Sequence, residues 1–556
     1  MATVTKRLIC MSMLLLAVGC NTENSSSTKD DKQTEKVKKQ EVKSDAKTVK
    51  FYLQREPLSM DPRKGGNRGS AIVLRELFEG LMRINSKGIP AYAAAKDVEL
   101  SEDKCTYRFT LRPSVWSNGM PVTAYDFEYA WKSNLSPQTT TCYSYAFYCI
   151  KNARQARMGD VSLDEVGIKA EDANTLVVTL EHPAPYFIEL TSNPIYSPVC
   201  KAVVEKSTSW CNDVGPEYVC NGPFVLDQWK HRSEIVLAKN PSYWDAPSVA
   251  AQKISFPLIE DPQTALNMFE SGCIDWAGDP FGALPLEAIP RLKTHNLLQA
   301  HQIGNADWME LNTSHPLLSS AKIRNAMAMA INRQDIADHL LQGGEKPAYS
   351  ILPTTLTLLK QPTFKDNDTV VAAQLMEEGL RELNLSRDSL PVLGLSFPSE
   401  TRDKLVAEAI QQQWQKALGV KVVLKPTDRN AHLNLLSTGS FDTALVSWFT
   451  FFHDPIYNLE FLKYKTGSFN STNWEDPYYI SLLDLSDEEP DTERRNALLC
   501  EAEEVLMKAM PVIPICYNTS LFVKNPKVTG EGLSPIGVFE WKRVDLESGT
   551  LIVNKL

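Results

Sequence analysis

The residues from Thr401 to Leu424 limit most sharply what this chain can become. TRDKLVAEAIQQQWQKAL reads as an amphipathic helix with Leu405, Ala409, Trp414 and Ala417 inward, Gly419 suits a left-handed stop, and Val420, Val422 and Leu424 alternate as a strand. A helix that must bury one stripe, running straight into a strand that must bury one face, calls for stacked layers and an α/β fold. The succession recurs. Val49 to Leu53 and the alternating Tyr107, Phe109 and Leu111 read as strands, with Asn118-Gly119 as a turn after the second. A helix is expected from Ser70 with Val73, Leu77 and Leu81 on one face, and Thr123 with Asp126 forms a capping box for another that buries Phe127, Trp131 and Leu135. Asn174 to Leu180 is a strand, and Asn221 to Asp245 a hairpin. Ser319-Ser320 cap a helix burying Ile323, Met327, Ala330 and Ile331, which Asn332 restarts and Gly343-Gly344 stop; a last helix spans about Thr492 to Met510.

At 556 residues the chain exceeds what one core supports, so two or three domains are expected. A net charge of -10 and no Lys/Arg run in the folded part speak against nucleic acid as a partner. Residues 1–20 form an export signal: basic Lys6 and Arg7, an apolar stretch from Leu8 to Val18, then Gly19 before Cys20. The cut site resembles the bacterial lipobox, with Ala17 where leucine is usual, which makes Cys20 the lipid attachment point. Residues 21–47 are polar and uniformly poor in apolar side chains, a solvated tether reaching about 30 Å as a flexible coil.

Enzymatic signatures are missing. No GxxxxGK[ST], HExxH, CxxC or GxSxG occurs, and the eight histidines are scattered, so neither catalysis nor a metal or other cofactor is expected. Of eleven cysteines, nine remain once Cys10 is cleaved away and Cys20 is lipidated. In an oxidising compartment Cys211 with Cys220 or Cys200, and Cys142 with Cys149, are candidate local bridges.

The stretch that speaks to function is FDTALVSWFTFFHDPIYNLEFL, 441–462. It reads as a strand ending at Trp448-Phe449, a loop carrying Phe451, Phe452 and His453, and a short helix opened by Asp454-Pro455. Rings on a loop between a strand end and a helix start suit ligand contact, and suit a packed core equally. Tyr143, Tyr145 and Tyr148 in TTCYSYAFY, 140–148, carry the same two readings.

Several segments together resemble the bacterial family 5 solute-binding proteins, the oligopeptide-binding components of ABC importers. They are Met60-Asp61-Pro62, LFEGL (77–81), VTAYDFEYAWK (122–132), NGPFVLDQW with IVLAKNPSYWD in the hairpin, ALNMFESGCIDW (265–276) and KIRNAMAMAINRQDI (322–336), and the match runs over 49–545. The resemblance implies a two-lobed α/β periplasmic-binding-protein fold with a hinge and an inserted domain, of class II or cluster C type. Residues 48–79, 197–304 and 519–556 would form lobe I, 80–196 the inserted domain II, and 305–518 lobe II. It implies a monomer, lipid-anchored outside the cytoplasm in the periplasm, which closes on a peptide and delivers it to an ABC permease and ATPase complex.

Peptide-binding members resemble W-x-x-D-x-x-[DE]-P in the loop, their first carboxylate pairing with the peptide ammonium. Here Phe451 stands in that position, Leu436 and Leu445 where arginines are common, and Gly66 where an early acid falls. Trp448, Phe451 and Tyr143 are the expected cleft surfaces, with Tyr145, His453 and Asp454 behind them and Arg429 and His432 adding polarity nearby. The expected solute is a peptide or peptide-like molecule whose amino group is blocked, absent or differently placed. A murein peptide, an apolar solute, a metal chelate or haem stays open as the ligand, and so does a surface interaction lipoprotein on the same scaffold.

Overall fold

Helix starts follow their side-chain caps. The Asn67 side chain accepts from the Ser70 N–H to open Arg68–Leu77, Thr123 and Asp126 close the capping box of Ala124–Leu135, and Asp491 accepts from the Arg494 N–H to open Thr492–Ala509. The computed structural model describes residues 48–547, apart from 86, 140, 142 and 466–469. The signal segment, Cys20, the tether and Cys142 lie outside the described residues.

Three principal sheets organise the described chain. In the first, Thr48–Lys50 runs parallel to Lys253–Pro257, followed by Glu234–Lys239 and Phe224–Lys230. The second is antiparallel, in the order Ala95–Leu100, Thr106–Leu111, Thr175–Thr179, Ile168–Ala170. The third has seven strands: Trp276–Gly278, Val512–Lys524, Gln299–Leu311, Thr443–Phe449, Leu393–Pro398 and Val422–Thr427 in sequence across it, with Lys346–Pro347 added to Val512–Lys524. Its parallel part, Val422–Thr427 beside Leu393–Pro398 beside Thr443–Phe449, is the α/β layer that the 401–424 pattern predicts.

Two strands of 13 residues each, Gln299–Leu311 and Val512–Lys524, bind the molecule together. Their ladder is interrupted midway: Gln302 faces Thr519, and the next pair is Ala306 with Tyr517. The surplus residues form a bulge, which bends a strand and raises its local twist. Gly304 sits in it because a Cβ there would come within 3.1 Å of the Ile536 side chain.

Two expectations need correction. Helix Thr401–Leu418 buries Val406, Ala407, Ile410, Trp414 and Leu418, whereas Leu405, Ala409 and Ala417 lie half-buried on its flank. The inward face is turned by one residue because Val406 and Ile410 bring more apolar area to the sheet than Ala409 and Ala417, and the Trp414 Nε1–H donates to the Met327 carbonyl at 2.8 Å. The described cysteines, moreover, are all free thiols. Cys220 is fully buried with Sγ 3.6 Å from the Phe224 carbonyl, Cys211 turns to Asn212, and burial pushes the Cys149 and Cys220 thiols up to about 12.

Beneath the first helix lies a buried charge network. Arg83 spends Nη2 on Glu76 at 3.0 Å, Nε on Glu540 at 2.7 Å and Nη1 on the Arg75 carbonyl at 2.7 Å. Burial disfavours the charged guanidinium, but Glu540 and Glu76 outweigh it and hold its pKa above the usual arginine value. The network ties residue 83 to residue 540 and so docks the C-terminal segment on the helix. Removing its cation leaves two buried carboxylates without the charge that pairs them, Glu540 keeping only the Lys542 N–H at 2.7 Å. Arg83→Met is therefore expected to cost roughly 3–5 kcal/mol, read as a lowered urea midpoint; an unchanged midpoint would show that the network contributes nothing to stability.

Candidate functional site

The strand Thr443–Phe449 separates two apolar clusters, Leu445 belonging to one and Val446 to the other, with Trp448 packed against the latter. Trp448 meets Phe461 edge-on at 4.6 Å and lies 6.4 Å from Trp308. It also stacks on Tyr457 at 6.3 Å, and the Tyr457 hydroxyl has its pKa raised by burial first and by Tyr145 next. Tyr145 belongs to the segment between the strands of the second sheet, so rings from two parts of the molecule meet here. Tyr145 lies 6.5 Å from Phe451, Tyr143 lies 6.2 Å from Tyr145, and Tyr186 stacks on Phe452 at 4.3 Å. The Tyr143 hydroxyl donates to the Gly66 carbonyl at 2.9 Å, and its ring fills the space a Cβ on Gly65 would need. With φ at +64°, Gly65 is required on both counts.

The loop is held from behind. Asp454 accepts from the Ile456 N–H at 3.0 Å and from both Nη atoms of Arg495 at 2.9 Å, so both its oxygens are engaged. The cap reading of Asp454 thus describes its geometry, and the ion pair adds a fastening that the sequence did not disclose. Burial raises the Glu189 carboxyl's pKa against the pull of the His453 backbone N–H, and burial lowers the His453 ring's pKa against the pull of Asp454, which favours the neutral imidazole. Beside Phe451 opens a small cavity bordered also by Arg75, Glu189, Ser192 and Ile536.

The other side of the sheet edge is charged. Arg402 pairs with Asp307 at 2.5 Å and donates to Asn518 Oδ1 at 2.5 Å, and Asn518 Nδ2 returns bonds to Asp307 at 2.6 Å and Asn305 at 3.1 Å. Glu400 lies 3.8 Å from Arg55 and 3.9 Å from Arg429, and the Arg68 guanidinium sits 5.2 Å from the Phe449 ring. None of Arg402, Asp307, Asn305 or Asn518 emerges from motif reading. One signal existed: a cation in the first turn of a helix opposes the dipole there and implies a partner. His432, expected to add polarity, instead turns into the interior and bonds the Leu445 carbonyl at 2.9 Å, with its pKa lowered by burial. Leu445 packs in one apolar cluster and Leu436 against the other, while Arg429 serves Glu400. Among the described residues no His, Cys, Asp and Glu cluster suits a metal ion, and no helix is long and apolar enough to cross a membrane.

An α/β body in two lobes, with aromatic surfaces meeting at a strand end, defines a solute-binding protein of the periplasmic type. The model for bacterial extracellular solute-binding proteins, family 5, matches residues 90–470, and the chain belongs to that family. It is 39% identical over 498 residues to the oligopeptide-binding protein OppA of Bacillus subtilis, covering 88% of this chain and 91% of that one. The solved murein tripeptide-binding protein MppA of Escherichia coli superposes with a TM-score of 0.80 at 28% identity, over 90% of this chain and 99% of that one. OppA of Burkholderia pseudomallei gives 0.79 at 26% identity, over 91% and 100%. As in the rest of the family, the protein binds a solute outside the cytoplasm and is not an enzyme.

The charged edge yields a pH test. Burial, with Asp307 next, pushes the Asp403 carboxyl up to about 7 against the pull of Arg402; Glu400 and Arg429 act more weakly in opposite directions. A folded-state pKa above the unfolded value of roughly 3.9 means that the folded chain binds more protons between the two. This contribution is complete below the unfolded pKa and is lost as pH rises through 7. Asp403→Asn should therefore raise the melting temperature at pH 8 and flatten its fall between pH 5 and 8; a parallel curve would refute the shift.

Proposed function

We propose that this protein, anchored through a lipid on Cys20 and carried on the 21–47 tether, captures a peptide or peptide-like solute and hands it to an ABC permease. The family membership supports the scaffold. The observation that carries the ligand reading is the meeting of Tyr143 and Tyr145 with Phe451, Tyr457 and Trp448 across the gap between the lobes. Rings on both sides give large contact area at small conformational cost, and the interrupted ladder at 302–306 and 517–519 is the hinge on which they part. A solute touching both lobes favours the closed form by its differential affinity. His453 and Asp454 keep the loop in place, and the protein acts as a monomer.

Phe451 decides the solute's polarity. A phenyl ring cannot accept the ion pair that a carboxylate there would make, and the nearby Asp454 is already spent on Arg495. Peptides whose α-ammonium is blocked or lies elsewhere, murein peptides among them, fit better than ordinary free-amine peptides. In calorimetric titration of the mature chain, N-acetylation of a peptide should leave its affinity intact. Phe451→Asp should tighten free-amine peptides about tenfold and leave the acetylated ones behind, as expected for one charge-assisted hydrogen bond. Tight wild-type binding of free-amine peptides, with no gain from Phe451→Asp, would overturn this reading.

A further inference from the structure

A seam joins the segment that follows strand Thr175–Thr179 to the helices Ile456–Glu460 and Pro477–Glu488, and it carries more acid than base. Lys463 Nζ lies 2.8 Å from Asp484, 3.6 Å from Glu460 and 3.8 Å from Asp487, so one lysine serves three carboxylates. Facing them, His182 holds Nδ1 4.0 Å from Asp487 and 3.3 Å from the Pro183 carbonyl. The other groups around the seam are occupied or neutral. Glu181 accepts from the Asn152 N–H, Asp454 and Arg495 are paired with each other, and burial keeps the Cys149 thiol and the Tyr186 hydroxyl protonated. Burial raises the Asp487 carboxyl's pKa against the pull of His182 first and Lys463 next, and raises that of Glu460 against Lys463 first, with His182 also pulling it down.

With a neutral imidazole, the three carboxylates exceed their lysine by two charges. An imidazolium halves that excess, and both its ring nitrogens are then donors. Histidine is the side chain whose ordinary charge change falls between pH 5 and 8. Resting on the closure reading of the cleft, we propose that His182 and Asp487 form a proton-operated clasp, in which a proton on His182 favours the closed form and so tightens the hold on the solute whatever the solute's own charge. His182 stands in the inserted domain and Asp487 in the opposite lobe, beside the stack of Tyr186 on Phe452, so the pair is made only when the two bodies meet. Linkage is reciprocal: if protonation favours closure, closure favours protonation. The contribution is full below the titration range of the histidine and is lost as pH rises through it.

The probe is N-acetyl-alanyl-leucyl-glycine, which has no group that titrates between pH 5.5 and 8, so any pH dependence belongs to the protein. By calorimetry the wild-type chain should bind it about threefold more tightly at pH 5.5 than at pH 8, the scale of one ion pair still partly open to water, with the His182 side chain 25% exposed and that of Asp487 15%. Asp403 titrates in the same window but is common to wild type and variant, so the difference between them is the quantity to read. His182→Gln should lose the threefold, and His182→Lys, whose charge is fixed, should keep the tighter value at both pH values. Equal wild-type binding at the two pH values, a dependence that His182→Gln retains, or a His182→Lys no tighter than wild type at pH 8 overturns the clasp and leaves the peptide reading standing. If the peptide does not bind at all, the peptide reading falls and small-angle scattering of the ligand-free chain decides the clasp. Contraction on acidification that is absent from His182→Gln then supports it, and equal radii overturn it.

Discussion

The molecule depends on a ladder that is deliberately incomplete. Buried backbone N–H and C=O groups must find partners, so two long strands paired side by side in one sheet would ordinarily make a stiff beam. Between Gln302 and Ala306 the pairing lapses, and the groups freed there are claimed from elsewhere. The Gly304 carbonyl accepts from the Thr450 N–H at 2.8 Å, and the Asn305 side chain accepts from Asn518 and from Ser447. Thr450 is the first residue beyond the strand that ends at Phe449. The bend in the paired strands and the aromatic loop thus share a hydrogen bond.

Several carboxylates around that loop are already committed to cations or amides. Asp454 belongs to Arg495, Asp307 to Arg402 and Asn518, and Glu400 is shared between Arg55 and Arg429. An acid at position 451 would add an anion beside Tyr457, whose hydroxyl is already buried and hard to ionise. The ring is therefore consistent with its surroundings: Phe451 is stacked at 6.2 Å on Tyr457 and faces Tyr145.

Local signals were readable because their causes lie within a few residues. The Thr123–Asp126 capping box, the Gly419 stop at φ +70° and the helix Thr401–Leu418 appear where spacing and chemistry put them. The helix face was misjudged by one residue because which side faces inward is decided by the sheet, not by the helix. Spacing in sequence likewise says nothing about where a thiol points, and Cys211 and Cys220, nine residues apart, turn to different neighbours. Trp448, Phe451 and Tyr145 could be named from composition and position, yet their meeting is a property of chain segments some 300 residues apart. The partners of Arg402 are out of reach for the same reason. Asp307 and Asn518 come from strands before and after it, and only the fold shows that the helix start stands over both.

Contacts that close the gap are individually slight. Arg55 and Glu400 are both exposed and 3.8 Å apart, a pairing worth under roughly 1 kcal/mol in water. Arg68 over Phe449 is another exposed contact, a cation over a ring half open to solvent at 44% exposure. Lys104 donates to the Pro490 carbonyl at 2.7 Å, again at the surface. The stack of Tyr186 on Phe452 is the one contact among these that is largely withdrawn from water. Such polar terms are small beside the entropy lost in ordering the long side chains that make them. A solute that touches both walls shifts a closure equilibrium only by its differential affinity for the two forms. Rings suit that task better than fixed ion pairs, because an interface built on strong pairs would shut without cargo, and closure would then carry no information about whether the cleft is filled.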